Sequence, residues 1–256
     1  MNAVPASGPA LRARGLSKNF GSLAVARNIN LELPQGARYA LIGPNGAGKT
    51  TLINLLTGTL QPAAGQIFIY DQEITALKPD ARVKRGLVRT FQINTLFPNL
   101  TPLEAVALVI CERRGDAPVW WRPLPHYRAA IDQAFDLLSK LMLDNVCHVP
   151  TRELAYGQQR LLEIALALAT EPRVLLLDEP AAGVPREESG KLFNAISALP
   201  SDITVLFIEH DMDIVFRFAT RIIVMVAGAI LLEGSPEEVA NNPQVREVYL
   251  GGKQHG

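Results

Sequence analysis

The chain is predicted to fold as an α/β protein with a mainly parallel core sheet and a helical block inserted between the two halves of that core. Two observations predict this. Short apolar runs bounded by turn residues alternate with helical patterns around 39–92 and again over 173–250, as strands and helices of a parallel sheet do. From about 102 to 170 the pattern is instead mostly helical. With 256 residues, 48% of them hydrophobic and 20% charged, the chain can bury a substantial core as one large domain or two small ones.

The elements follow in order. Residues 1–10 are small, with Pro and Gly, and are expected to be disordered, as a tail over 251–256 is expected to lie outside the domain. LRARGLSKNF and ARNINLELP, within 11–35, alternate in strand fashion. Tyr39–Ile42 is a buried strand, and TLINLLTG a short helix ending at Gly58. QIFIYDQEI reads as one strand after the turn signal at 61–65, and LVRTFQ, 87–92, as another. TPLEAVALVICERR opens with Thr101 as cap, Pro102 in the first helical position and Glu104 completing a capping box. RAAIDQAFDLLSKLML spaces its apolar residues on one helix face, and GQQRLLEIALALAT is a third helix, stopped by Pro172. The loop between the first two carries Trp120 and Trp121, whose expected role is packing. RVLLLDEP, REESGKLFNAISAL, DITVLFIEHD and MDIVFRFA then alternate strand and helix. RIIVMVAG and AILLEG form a hairpin at Gly228, and SPEEVANNP starts a last helix capped by Ser235.

Composition excludes several roles. Lys+Arg and Asp+Glu are 25 each, so no general attraction to nucleic acid is expected and no nucleic-acid partner is predicted. Cys111 and Cys147 have no metal-type spacing and read as buried thiols. The N-terminus lacks the apolar core of a signal peptide, and no apolar run reaches the length of a membrane span. A cytoplasmic protein is therefore expected, reaching a membrane only through a partner.

The chemistry-bearing residues begin at GPNGAGKTT, 43–51, which fits G-x-x-x-x-G-K-[ST]. Gly43, Gly46 and Gly48 let the backbone curl so that N–H groups, with Asn45 and Ala47 between them, face a phosphate chain. Lys49 adds charge at the β/γ oxygens, Thr50 offers a hydroxyl to Mg²⁺, and Thr51 follows in a helix whose positive end faces the phosphates. A nucleoside triphosphate site is predicted. Val174–Asp178 is an apolar strand ending in two carboxylates: Asp178 suits Mg²⁺, and Glu179 suits polarising a water. Gln92 and His210 each follow a predicted strand. Gln92 can reach Mg²⁺ and the attacking water, and His210 the γ-phosphate; taken singly, either is also an ordinary polar strand end.

With LAYGQQR at 154–160 the set GPNGAGKT, RTFQ, LAYGQQR, VLLLDEP, IEHD is complete, and in that order the chain resembles the ATP-binding cassette (ABC) ATPases of transporters from about 11 to 250. The resemblance implies a P-loop NTPase cassette with a mainly parallel core sheet, an antiparallel β region and a helical subdomain. Its core would be 11–92 and 172–250, and its helical subdomain 93–171. It implies ATP and Mg²⁺ as cofactors, with Thr50, Gln92 and Asp178 at the metal. Phe20 would stack on adenine, Glu179 act as general base, His210 bind the γ-phosphate, and Gln92 link the Mg²⁺ site to a transmembrane partner. Leu154, Ala155, Tyr156, Gly157 and Gln158 would contact the nucleotide of a second cassette, in a homo- or heterodimer that sandwiches two ATP molecules.

The chain departs from the usual pattern in three places. Ala155 and Tyr156 stand where the family has Ser and Gly, and Ala181–Pro185 lacks the inter-subunit Asp or Asn. LAYGQQR, RTFQ, DEPAAG, IEHDMD and the closing SPEEVANNPQVREVYLG are similar to the cassettes of branched-chain (hydrophobic) amino-acid importers. The expected function is thus the ATPase of an uptake transporter, peripheral on the inner face of the membrane through its permease and served by an extracytoplasmic substrate-binding protein. The alternatives are a lipid or lipopolysaccharide exporter ATPase and a soluble non-transport ABC ATPase. A GTPase is disfavoured because no N-K-x-D motif is present, and a kinase because it would not explain LAYGQQR.

Overall fold

A computed structural model describes residues 8–90, 96–115 and 127–250. In chain order it contains β1 (Leu11–Phe20), β2 (Leu23–Leu33), β3 (Arg38–Ile42), α1 (Lys49–Thr57), β4 (Ala64–Ile69), β5 (Gln72–Glu73), α2 (Pro79–Lys84), β6 (Leu87–Arg89), α3 (Pro102–Arg114), α4 (Arg128–Lys140), α5 (Tyr156–Ala169), β7 (Val174–Asp178), α6 (Arg186–Ser197), β8 (Thr204–Ile208), α7 (Met212–Phe218), β9 (Arg221–Val226), β10 (Ala229–Gly234), α8 (Pro236–Asn241) and α9 (Pro243–Leu250). The chain divides into two compact units. One comprises 1–87, 173–179 and 200–256; the other comprises 88–172 and 180–199.

The first unit holds one sheet whole and the other except for Val88 and Arg89 of β6. The larger runs β10-β9-β3-β8-β7-β6, with β3, β7, β8 and β9 mutually parallel and β10 antiparallel to β9. Strands β3, β7 and β8 read as unbroken apolar runs because both faces are covered; Leu175, Leu176, Val205 and Leu206 have no exposed surface. Burying each such side chain stabilises the fold by roughly 2 kcal/mol. The smaller sheet, β2-β1-β4-β5, is antiparallel. Ala10 precedes it, fully buried, and its carbonyl accepts from the Tyr70 N–H at 3.1 Å.

QIFIYDQEI, expected as one strand, is a hairpin. Tyr70 turns the chain at a φ of 50°, and β5 folds back on β4. The last helical stretch is two helices rather than one. The Asn242 side chain accepts from Gln244 and Val245 N–H (2.9 and 3.2 Å) and starts α9 directly after α8. α2 had no counterpart in the sequence reading.

The second unit packs α3, α4 and α5 against one another and α6 against α5. α3 begins with the expected capping box: the Thr101 hydroxyl accepts from the Glu104 N–H, and Glu104 accepts from the Thr101 N–H at 2.8 Å. α5 buries Leu162, Ile164, Ala165 and Leu168. Among the described residues no helix is long and apolar enough to cross a membrane.

Candidate functional site

β3 delivers the chain from the sheet centre into the 43–48 loop, and α1 leaves it. Two glycines are required by contact as well as by conformation. A Cβ on Gly43 (φ 155°) would stand 2.2 Å from the Met225 carbonyl oxygen, and one on Gly48 (φ 100°) 2.6 Å from that of Val25. The loop is also pinned from outside. The Gly228 N–H, in the β9–β10 turn, donates to the Ala47 carbonyl at 2.9 Å, while the Arg27 N–H donates to the Gly228 carbonyl at 2.7 Å. Gly48 caps α1 without a side-chain acceptor, and the first turn carries no acidic residue. The helix therefore presents an uncompensated positive end to the loop.

Lys49 is 7% exposed and donates to the carbonyls of Gly43 (2.7 Å) and Pro44 (3.1 Å). Burial pulls its ammonium below the ordinary lysine range, and the Glu179 and Asp178 carboxylates pull it back. The strand-end carboxylates and the loop lysine thus share one electrostatic neighbourhood. Thr50, Asn45 and Gly46 are exposed and Thr51 is half-buried.

At the tip of β7, Asp178 is half-buried and Glu179 turns into the left-handed region at a φ of 49°. Such a conformation costs a non-glycine residue about 1 kcal/mol. It is held by the Glu179 N–H donating to the Ile208 carbonyl at 3.1 Å. That turn brings Glu179 Oε1 within 2.5 Å of His210 Nε2, beyond the end of β8. Phe20, 51% exposed, lies at the end of β1, next to a two-residue turn, with the Lys18 ammonium 5.8 Å from its ring centre. The first unit thus gathers the 43–51 loop, Asp178, Glu179 and His210. Gln92, Trp120 and Trp121 lie outside the described residues.

Residues 154–158 belong to the second unit. Leu154 is buried, and Ala155 is the exposed N-cap of α5. An alanine cannot cap, so half a capping box remains: the Gln158 side-chain oxygen accepts from the Ala155 N–H at 3.0 Å. Gly157 faces α6, where an added Cβ would stand 2.5 Å from Glu188 Oε2. The Tyr156 ring lies over Gly183, and its hydroxyl accepts from Arg160 at 3.0 Å.

Two residues around the site were missed by the sequence reading. Arg82 has no exposed surface and donates to the carbonyls of Leu55 (2.8 Å), Leu56 (2.6 Å), Leu77 (3.0 Å) and Thr75 (2.7 Å). It closes the C-terminal end of α1, and burial lowers its guanidinium to about 10. KPDARVKRG gives no sign of this, since it reads as charged surface. Tyr249, on α9, is hydrogen-bonded to the backbone of Gly43, and burial pushes its phenol up to about 12. No local signal in the sequence marks that contact.

Known proteins share this sequence and fold. Residues 26–182 match the ABC transporter family, and residues 229–255 match the family described as "Branched-chain amino acid ATP-binding cassette transporter". The high-affinity branched-chain amino acid transport ATP-binding protein BraF of Pseudomonas aeruginosa is 39% identical over 257 residues, spanning 96% of this chain and 99% of BraF. Among solved structures, the ADP conformation of the ATP-binding cassette MJ1267 superposes with a TM-score of 0.83 at 32% identity, covering 94% of this chain and 98% of that one. The dimeric bacterial ABC transporter cassette MJ0796 gives a TM-score of 0.74 at 25% identity, covering 88% and 98%. The chain belongs to the family of ABC transporter ATP-binding subunits, and its fold is the α/β cassette of that family.

Proposed function

We propose that this chain hydrolyses ATP to drive uptake of branched-chain or other hydrophobic amino acids through a membrane permease. The observation that carries the reading is the grouping of Lys49, Asp178, Glu179 and His210 around the 43–51 loop in a chain whose 229–255 segment matches the branched-chain family. That C-terminal match, and BraF, give no support to the exporter alternative.

The residues present fit a Mg²⁺–nucleotide. The exposed Thr50 hydroxyl and the half-buried Asp178 carboxylate would hold the metal, which needs few protein ligands when phosphates supply the rest. Bound Mg²⁺ supplies positive charge at the phosphate oxygens. Lys49 exchanges its two loop carbonyls for phosphate oxygens, and the N-terminal N–H groups of α1 face the same anion. Glu179 accepts a proton from the attacking water and His210 donates to the γ-phosphate. Phe20 offers an exposed ring for the adenine, and Gln92 is assigned to the metal and the link with the permease.

The far wall of the site would come from residues 154–158 of a second cassette. Ala155 supplies no hydroxyl, so backbone N–H groups at the start of α5 carry that contact. Phe97, Leu108, Phe135 and Met142 are exposed on the second unit and suit a permease segment. A substrate-binding protein outside the membrane completes the system, with the cassette on the cytoplasmic side. The test is co-expression with a candidate permease pair in proteoliposomes. ATP hydrolysis stimulated by leucine-loaded binding protein, with leucine uptake, supports the reading. Permease-bound cassette that hydrolyses ATP without transporting any hydrophobic amino acid refutes the substrate class.

A further inference from the structure

The loop after the strand carboxylates, Ala181–Val184, has no polar side chain. It is nevertheless tightly specified by α5 of its own unit. Gly183 sits at a φ of 78°, and a Cβ there would stand 2.9–3.0 Å from the hydroxyl and ring atoms of Tyr156, so the ring occupies the place a side chain would take. One amino group of Arg160 donates both to the Tyr156 hydroxyl (3.0 Å) and to the Ala182 carbonyl (3.4 Å). The guanidinium lies 5.3 Å from the Tyr156 ring centre, and its other amino group meets Glu163 Oε2 at 3.0 Å.

Fold stability is a poor reason for this cluster. Arg160 and Glu163 are 6% and 7% exposed, yet Arg160 Nε and Glu163 Oε1 are buried without hydrogen-bond partners. A buried pair left partly unsatisfied returns little of what its desolvation costs. Burial pushes the Glu163 carboxyl up against the opposing pull of Arg160, in keeping with that balance. What the cluster does supply is a fixed geometry between the first turn of α5 and the loop.

We propose that Tyr156 is a positioning residue. Seated on Gly183 and tied through Arg160 to Ala182, it locks the start of α5 to loop 181–184, so that engagement of residues 154–158 by the other cassette's nucleotide is passed to the segment that follows Glu179 in the same chain. This rests on the two-cassette reading above. It assigns to an aromatic contact within one chain a role that the loop's own alanines and glycine lack the functional groups to fill.

The test uses the permease-bound transporter with Tyr156→Phe, Tyr156→Gly, Gly183→Ala and the Tyr156→Gly/Gly183→Ala pair. Tyr156→Gly is expected to lower kcat about tenfold while KM for ATP changes less than about twofold, a loss confined to the committed complex. Cooperativity in ATP falls with it, and amide exchange over 181–184 quickens. Tyr156→Phe keeps the ring and recovers most of the rate. The two glycine-site losses are less than multiplicative in the double variant, because the clash at Gly183 vanishes with the ring. Wild-type kcat and cooperativity in Tyr156→Gly, or fully multiplicative losses, overturn the proposal. Should Tyr156→Gly fail to fold, Gly183→Ala decides: with the Tyr156 ring still in the way of the added Cβ, wild-type kcat, cooperativity and amide exchange over 181–184 overturn it. An ATP-driven dimer of Glu179→Gln, measured alongside, separates failure of this lock from failure of the two-cassette reading.

Discussion

Glu179 Oε1 and His210 Nε2 lie 2.5 Å apart and join the ends of β7 and β8. Neither strand end alone defines a site; the strained turn at Glu179 is what aims the carboxylate at the imidazole. The same carboxylate also raises the pKa of the Lys49 ammonium, so Glu179 couples the imidazole to the loop lysine. On the proposed mechanism His210 would exchange Glu179 for the γ-phosphate, freeing Glu179 to take a proton from water.

Glu179→Gln separates these roles. The amide can still hydrogen-bond His210, but it is no base. Turnover is expected to fall by a factor of about 10² to 10⁴, the usual worth of a positioned general base, while ATP binding survives. The ATP-bound dimer then accumulates. Gel filtration with ATP reads the outcome; a variant shown to bind ATP that elutes only as monomer contradicts the assignment.

How far the site could be read in advance depended on whether its signals were local. The 43–51 loop, the Thr101–Glu104 box and the Ser235 cap are each written within a few residues, and each is found in place. So is the parallel core, because β3, β7 and β8 are apolar on both faces. The Asn242-Pro243 start of α9 was local too and could have been read as a cap followed by a first-turn proline. Arg82 was not readable. Its partners are carbonyls 5 to 27 residues away, and carbonyls leave no trace in sequence. Tyr156 was expected to contact the nucleotide of a second cassette; its place on Gly183 depends on two segments meeting across 27 residues.

Arg82→Met should test the C-terminal closure of α1. Methionine fills much of the volume but leaves the carbonyls of Leu55, Leu56, Leu77 and Thr75 without their shared donor. Unsatisfied buried acceptors cost about 1–3 kcal/mol each, and the cation's favourable interaction with the helix end is lost as well. Partial relaxation brings the expected loss to about 3 kcal/mol. Urea unfolding reads it as a lower midpoint at unchanged slope; an unshifted midpoint would show that α1 needs no such closure.

Ala155→Ser restores the residue that the family's usual pattern has here. In this chain a serine at the N-cap would accept from the Gln158 N–H and complete the capping box whose other half is already made. That adds about 1 kcal/mol of stability, or about 2–4 °C in Tm for a chain of this size. ATPase activity of the permease-bound protein should stay within about tenfold of wild type, since one hydroxyl is worth roughly 1 kcal/mol. Complete loss of turnover would mean that this position tolerates no hydroxyl, contrary to the backbone contact assigned to it.

Tyr249→Phe tests whether the C-terminal helix acts on the phosphate loop. The substitution removes only the hydroxyl that is hydrogen-bonded to the Gly43 backbone, while Val245, 5% exposed, keeps α9 seated. Losing one such hydrogen bond is worth about 1 kcal/mol, so nucleotide affinity should fall about fivefold with Tm lowered by only about 2–4 °C. Burial holds the phenol at about 12. It therefore stays protonated, and the ratio of wild-type to variant affinity should be flat from about pH 6 to pH 9. Titration with a fluorescent ATP analogue across that range measures both effects. Equal affinities would reduce α9 to a packing element, and a ratio that changes with pH would place a different titrating group at Gly43.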